Sequence, residues 1–258
     1  MSPLVDSHCH LDVAEFDPDR EEVIARARAV GVGVQIIPAI DRASWPRIRA
    51  LCAQTPGLYP AYGLHPMFMS VHRPEHLDEL ADWLARERPV AVGECGLDGS
   101  IEDPQPERQQ RYFEAQLELA RSAGLPVILH ARRALEPVIA ALRRVGGLSG
   151  VVHSFSGSVE QAAQLWRLGF LIGIGGPVTY ERAQRLRRVV AAVPAEQLLL
   201  ETDSPDQPLA RHRGLRNEPC RLPEVLEAVA ALRGESPQAV ADQTTRNASA
   251  LFGLAVRV

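Results

Sequence analysis

Six side chains in this sequence carry the chemistry of ligands for divalent cations, and each stands just beyond a short apolar run. His8 and His10 form an HxH after Leu4-Val5. Glu94 follows the run at 90–92, His130 follows 126–129, His153 follows 151–152, and Asp203 closes LLLETD. Side chains alternate faces along a strand, so His8 and His10 are expected on one face and Cys9 on the other, in the core. Six donors are too many for one catalytic zinc, which takes three protein ligands and a water. They suit two cations about 3.5–4 Å apart that share a carboxylate. Every basic residue is arginine and the chain has no lysine. A carboxylated lysine is therefore excluded as the bridge, and Glu94, with its mid-barrel strand position, is expected in that place. The expected sets are His8, His10, Glu94 and Asp203 for one ion and Glu94, His130 and His153 for the other. Water held by such ions is a far stronger acid than bulk water. Asp203 is the expected general base, and Glu94 the second catalytic carboxylate. Imidazole and carboxylate together accept Zn, Mn, Mg, Co or Ni, so the residues leave the metal open.

Those donors need a scaffold that brings distant strand ends together. Eight apolar runs, at 4–5, 32–37, 58–62, 90–92, 126–129, 151–152, 170–174 and 198–200, each lead into polar or glycine residues. Continuous rather than alternating apolar runs are expected of parallel strands buried on both faces. Amphipathic stretches such as 20–30, 74–88, 107–123, 159–168 and 180–193 lie between them and are predicted as helices. The strand starts recur about every 28 residues, the size of a βα unit. The pattern predicts a single-domain (β/α)8 TIM barrel over residues 1–258, with extra C-terminal helices near 222–233 and 237–252. In such a barrel the C-terminal strand ends converge on one face, which unites the six donors.

Composition narrows the function. Of the 258 residues, 46% are hydrophobic, enough for a substantial core, and the formal net charge of −4 offers no global attraction for nucleic acid or membrane. A polyanionic substrate must be recognised locally. The four cysteines have no CxxC spacing, so a reduced, cytoplasmic setting is expected and a disulfide framework is not. No signal-peptide pattern opens the chain, no run approaches the roughly 18–20 apolar residues of a membrane span, and no obligate protein partner is implied.

The segments DSHCHLD, GLHP, GECGLD, LHARRA, HSFSGS and LLLETDSP resemble, in order, the successive motifs of the TatD-type deoxyribonuclease family of the amidohydrolase superfamily. RNEP at 216–219 and TTRNASALFG at 244–253 extend the resemblance, which runs from Asp6 to Gly253. It implies a TIM barrel, divalent-metal dependence and hydrolysis of phosphodiesters, typically of DNA from a 3′ end. Gly99-Ser100 stand where many relatives carry an aromatic pair, and Cys220-Arg221 are an uncommon continuation of RNEP.

Further residues are expected near the mouth. His65 of GLHP is assigned to substrate contact rather than metal. Arg132, two residues beyond His130, can grip a phosphate bidentately. Asp98 is expected to cap a helix, and Arg182, Arg185, Arg187 and Arg188 to form a solvated face. Phosphate binding and a structural role stand level for Arg211, Arg213 and Arg216, as do base stacking and core packing for Phe155. The expected function is a two-metal phosphodiesterase, a deoxyribonuclease of the 3′–5′ exonuclease type acting on DNA or a nucleotide. The alternative is a small-molecule hydrolase of an ester, amide or phosphoester. A metal-binding scaffold without turnover is disfavoured because none of the six donors is missing.

Overall fold

The structure, a computed structural model, describes residues 3–255; the expected domain limits at 1 and 258 lie outside them. Eight strands follow one another around a barrel in chain order, all parallel: β1 (Leu4–Asp6), β2 (Val32–Pro38), β3 (Leu58–Tyr62), β4 (Ala91–Asp98), β5 (Val127–Arg132), β6 (Gly150–Val152), β7 (Phe170–Ile174) and β8 (Leu198–Leu200). Just past the first and last strands, Ser7 N donates to Leu200 O at 2.9 Å and Asp203 N to His8 O at 2.9 Å, which closes the ring. The Asp6 carboxylate reinforces that seam, accepting from Thr202 N at 3.0 Å and Thr202 Oγ1 at 2.6 Å. This is the expected (β/α)8 barrel.

Seven helices alternate with the strands: α1 (Arg20–Ala29), α2 (Trp45–Gln54), α3 (Glu75–Glu87), α4 (Pro106–Ala123), α5 (Leu135–Val145), α6 (Val159–Arg167) and α7 (Gln184–Ala192). α8 (Leu222–Arg233) and α9 (Pro237–Phe252) follow β8, as expected. The helix expected at 180–193 is shorter than the periodicity suggests. A 3₁₀ turn at Gly176–Thr179 comes first and α7 begins only at Gln184, so Arg182 lies outside the helix.

The core has two layers. Val5, Val34, Ile36, Ala61, Ala91, Ile128, Val151 and Leu199 form one buried cluster inside the barrel, and a larger one fills the space between strands and helices. Ala248 and Phe252 of α9, with Leu254 beyond it, join the inner cluster and stopper the end of the barrel away from the strand C-termini. Asn247 fixes this stopper by donating to Ala195 O and Leu198 O, both at 2.8 Å.

One irregularity decides where the chemistry points. Val92 pairs with Val127 and Cys95 with Leu129, so β4 spends three steps where β5 spends two. This is a β-bulge, one extra residue on β4. Without it, strict alternation from inward Ala91 would turn Glu94 outward. With it, Glu94 faces the interior and Cys95 and Leu97 join the outer cluster. Glycine at 93 suits the crowded spot, since a Cβ there would stand 2.7 Å from Ile128 Cβ. Glu94 thus lies within β4 rather than just after it, whereas His8 and His10 lie beyond β1, which ends at Asp6. Cys9 is fully buried in the outer cluster, away from the two histidines, as alternation predicts.

Phe252→Ala should remove the stopper's largest side chain and cost about 3–5 kcal/mol of stability. Denaturant unfolding measures the loss; an unchanged midpoint would mean that α9 does not close the inner core.

Candidate active site

Glu94 is the hub of the site. It is 1% exposed, and its two oxygens face different sets of imidazoles. Oε2 lies 3.1 Å from His8 Nε2 and 3.6 Å from His10 Nε2. Oε1 lies 2.9 Å from His65 Nε2, 3.0 Å from His130 Nδ1 and 2.8 Å from His153 Nε2. Asp203 closes the first set, its Oδ1 3.5 Å from His8 Nε2 and 3.7 Å from His10 Nε2. Its backbone is in the left-handed region, φ 54°, a conformation that aspartate tolerates better than most residues. The structure therefore brings all six expected donors together and adds His65.

The far side of each ring sorts the histidines. A carbonyl only accepts, so the 3.2 Å contact between His10 Nδ1 and Pro38 O puts the ring proton on Nδ1 and turns a lone pair on Nε2 to the centre. His130 is set the other way round: Nε2 lies 2.8 Å from Asp98 Oδ2, which leaves Nδ1 unprotonated toward Glu94 in the neutral ring. His65 is the opposite case. Its Nδ1 accepts from Met67 N at 3.1 Å, so its proton sits on Nε2 and is donated to Glu94. Although His65, Glu94 and His130 are close enough to share an ion, this tautomer makes His65 a hydrogen-bond donor rather than a ligand.

The remaining lone pairs converge. His8 Nε2 and His10 Nε2 face each other across 3.1 Å, and His8, His10 and Glu94 together could hold a cation. Imidazole and carboxylate donors at this density fit borderline-to-hard divalent ions. A carboxylate–histidine pair behind a ligand, like Asp98 behind His130, is the usual means of fixing such a ring.

The electrostatics follow from burial. Burial pushes the Glu94 carboxyl up, but the surrounding imidazoles, His153 foremost, outweigh it and hold the group well below the usual carboxylate range. Burial drives His8 well below the ordinary histidine value and His65 down to about 4. For His153 burial acts downward too, yet Glu94 beside it, with Asp203 and Glu201, lifts the imidazole to about 10. Burial raises Asp203, and it raises Glu201 to about 8. Glu201, 3.8 Å from His153 Nδ1, lies deeper in the barrel than Asp203.

Several expectations change. Asp98 caps no helix; besides holding His130, its Oδ1 accepts from Ser100 N at 2.7 Å and Ser100 Oγ at 2.6 Å. Arg216 is committed to Asp19 and Glu218 at 2.7–3.0 Å, a structural ion-pair network rather than a phosphate site. Phe155 is 2% exposed and packs in the core. Arg132 is exposed, shares the central cleft of about 850 Å³ with His65, Glu94, His130, His153 and Asp203, and makes no ion pair among the described residues. The sequence signal for Asp98 was its inward parity with Glu94, two pleats along the same strand.

Asp98→Ala should free the His130 ring and weaken metal binding about 10–100-fold. Titration of the chelator-stripped protein, read by elemental analysis, checks it; unaltered affinity would reduce Asp98 to a loop tether. Loading the stripped protein at pH 7 should also release protons. The raised His153 holds a proton below about pH 10 that a cation must displace, so affinity should climb with pH across the neutral range. Calorimetry in buffers of different ionisation enthalpy measures that release, and its absence would place His153 outside the metal set.

Residues 5–253 match the family model described as TatD related DNase. The sequence is 42% identical to an Escherichia coli protein named uncharacterized metal-dependent hydrolase YjjV, over 97% of this chain and 98% of the relative. The crystal structure of YjjV superposes with a TM-score of 0.94 over 97% of this chain and 98% of the other. A Klebsiella pneumoniae protein named 3′-5′ ssDNA/RNA exonuclease TatD is 37% identical over 98% of this chain and 99% of its own. The chain thus belongs to the TatD-related DNase family of metal-dependent hydrolases.

Proposed function

We propose that the chain is a two-metal phosphodiesterase that trims single-stranded nucleic acid from its 3′ end, DNA foremost. The observation that carries this reading is the split Glu94 carboxylate, one oxygen toward His8 and His10 and the other toward His130 and His153. That is the arrangement expected of a bridge between two cations. His8, His10 and Asp203 would complete one coordination set, His130 and His153 the other. Arg132, without an ion-pair partner among the described residues and in the same cleft, and the exonuclease name of the Klebsiella relative support a phosphodiester over a carboxylic ester. The four cysteines, none in a disulfide, suit the reducing cytoplasm.

The two cations, when bound, supply Lewis-acid charge for the phosphoryl oxygens and lower the pKa of the attacking water. The chain's own groups do the rest. Asp203 Oδ1, turned toward His8 and His10, is the oxygen placed to accept the water's proton. Gln207 Nε2 donates to Asp203 Oδ2 and so keeps Oδ1 turned to the centre. Arg132 offers its fork to the non-bridging oxygens. His65 gives its one N–H to Glu94 and so steadies that carboxylate, and as burial keeps the ring neutral it brings no further cation to the site.

A 5′-labelled single-stranded oligonucleotide, incubated with each candidate metal, should shorten stepwise from its 3′ end. Carboxylic esters and amides tested alongside should not turn over; cleavage of those with an intact oligonucleotide would overturn the proposal. Asp203→Asn should keep the His130–His153 ion and lower single-turnover cleavage by about 10²–10⁴-fold. Near-wild-type turnover by that variant would move the base elsewhere.

A further inference from the structure

Beside the cleft lies a second hollow of about 260 Å³. Ser154 and Ser156 line both, so the two hollows share a wall. Buried Phe155 lines the smaller hollow, as do Gly173, Gly175 and Pro177, and it is edged by Arg182, Gln184 and Arg185. A strand that left the metal centre over the Ser154–Ser156 wall would reach it.

The two arginines are what make the hollow chemically specific. Of the basic run expected to form one solvated face, Arg187 donates to Val178 O at 3.0 Å and is spent on structure. Arg182 and Arg185, both exposed, instead edge the hollow, and neither has a hydrogen-bond or ion-pair partner among the described residues. Glu181, the adjacent carboxylate, pairs with neither. Arg182 is also held in place: its guanidinium carbon lies 5.3 Å from the centroid of the Tyr180 ring, and the Tyr180 hydroxyl donates to Pro208 O at 2.9 Å. A guanidinium stacked on a tethered ring keeps its N–H edge free while losing little rotamer freedom on binding an anion.

We propose that this hollow is a phosphate subsite that grips the backbone of a single-stranded nucleic acid beyond the scissile linkage, through Arg182 and Arg185 and with the Ser156 hydroxyl at its edge. The inference rests on the phosphodiesterase reading. It would explain how a chain with net charge −4 holds a polyanion: two guanidiniums at the hollow's edge, one of them stacked on Tyr180, would serve in place of a basic surface. It also assigns substrate length to a feature separate from the metal centre, because a substrate with one phosphodiester cannot occupy both positions.

The test compares two substrates on metal-loaded protein, bis(p-nitrophenyl) phosphate and a single-stranded DNA octamer. In the Arg182→Ala/Arg185→Ala double variant, the octamer's KM should rise about tenfold, as expected when charge-assisted hydrogen bonds are removed. Its kcat and all parameters of the small diester should stay within a factor of two. The salt dependence of octamer binding should flatten by about 0.7 in log–log slope if one phosphate of a single strand is no longer neutralised. Lysine at both positions should restore the slope and most of the KM. An octamer still cleaved with unaltered KM and slope would overturn the subsite and leave the phosphodiesterase reading standing. Equal losses on both substrates would overturn it too, by tracing the effect to the metal centre. Wild-type protein inert toward both would defeat the phosphodiesterase reading and the subsite with it.

Discussion

The architecture of this site depends on one buried carboxylate. Taking an ion of that kind out of water costs on the order of several kcal/mol, and only well-placed partners offset the penalty. Glu94 has five imidazoles around it, drawn from the ends of four strands. None of them is near it in sequence. Only a closed parallel barrel delivers side chains from β1, β3, β5 and β6 to one carboxylate on β4. The hydrogen bonds that join the first strand to the last therefore secure the chemistry as well as the fold: a seam opened at Asp6 and Thr202 would separate His8 and His10 from Asp203.

Around that hub the histidines are differentiated by what lies behind them. Pro38 O, Asp98 and Met67 N–H each fix one ring's proton, and so decide which nitrogen meets the centre. Three chemically identical side chains acquire two functions, lone-pair donor and hydrogen-bond donor, from neighbours without a direct part in the chemistry. Ser100 extends this support one step further, since both its N–H and its hydroxyl hold the Asp98 carboxylate that holds His130.

Much of this was legible in the residues. Apolar runs spaced at βα intervals carried the barrel, and polar groups ending those runs carried the six donors. Legibility failed where the information is tertiary. Asp98 reads as a cap because its partner, His130, lies on another strand. Arg216 reads equally as a phosphate ligand and as a structural residue because Asp19, which neutralises it, is distant in sequence. The basic run at 182–188 reads as one helical face because periodicity does not reveal that the helix starts at Gln184 and leaves Arg182 on a turn. Ring tautomers are invisible for the same reason: each is set by a group brought in by folding.

The bulge on β4 divides the strand into two phases. Below it, Ala91 keeps step with the inner core layer; above it, Glu94, Gly96 and Asp98 keep step with one another and with the site. The two phases answer to different physical demands, packing volume in one and donor chemistry in the other, and they meet at a single glycine. Uninterrupted pairing of β4 with β5 at the same chain length would undo this, turning the Glu94 carboxylate toward the helices. The outcome would be a barrel with sound ladders and a blank centre, and relatives compared by fold alone would not reveal the loss.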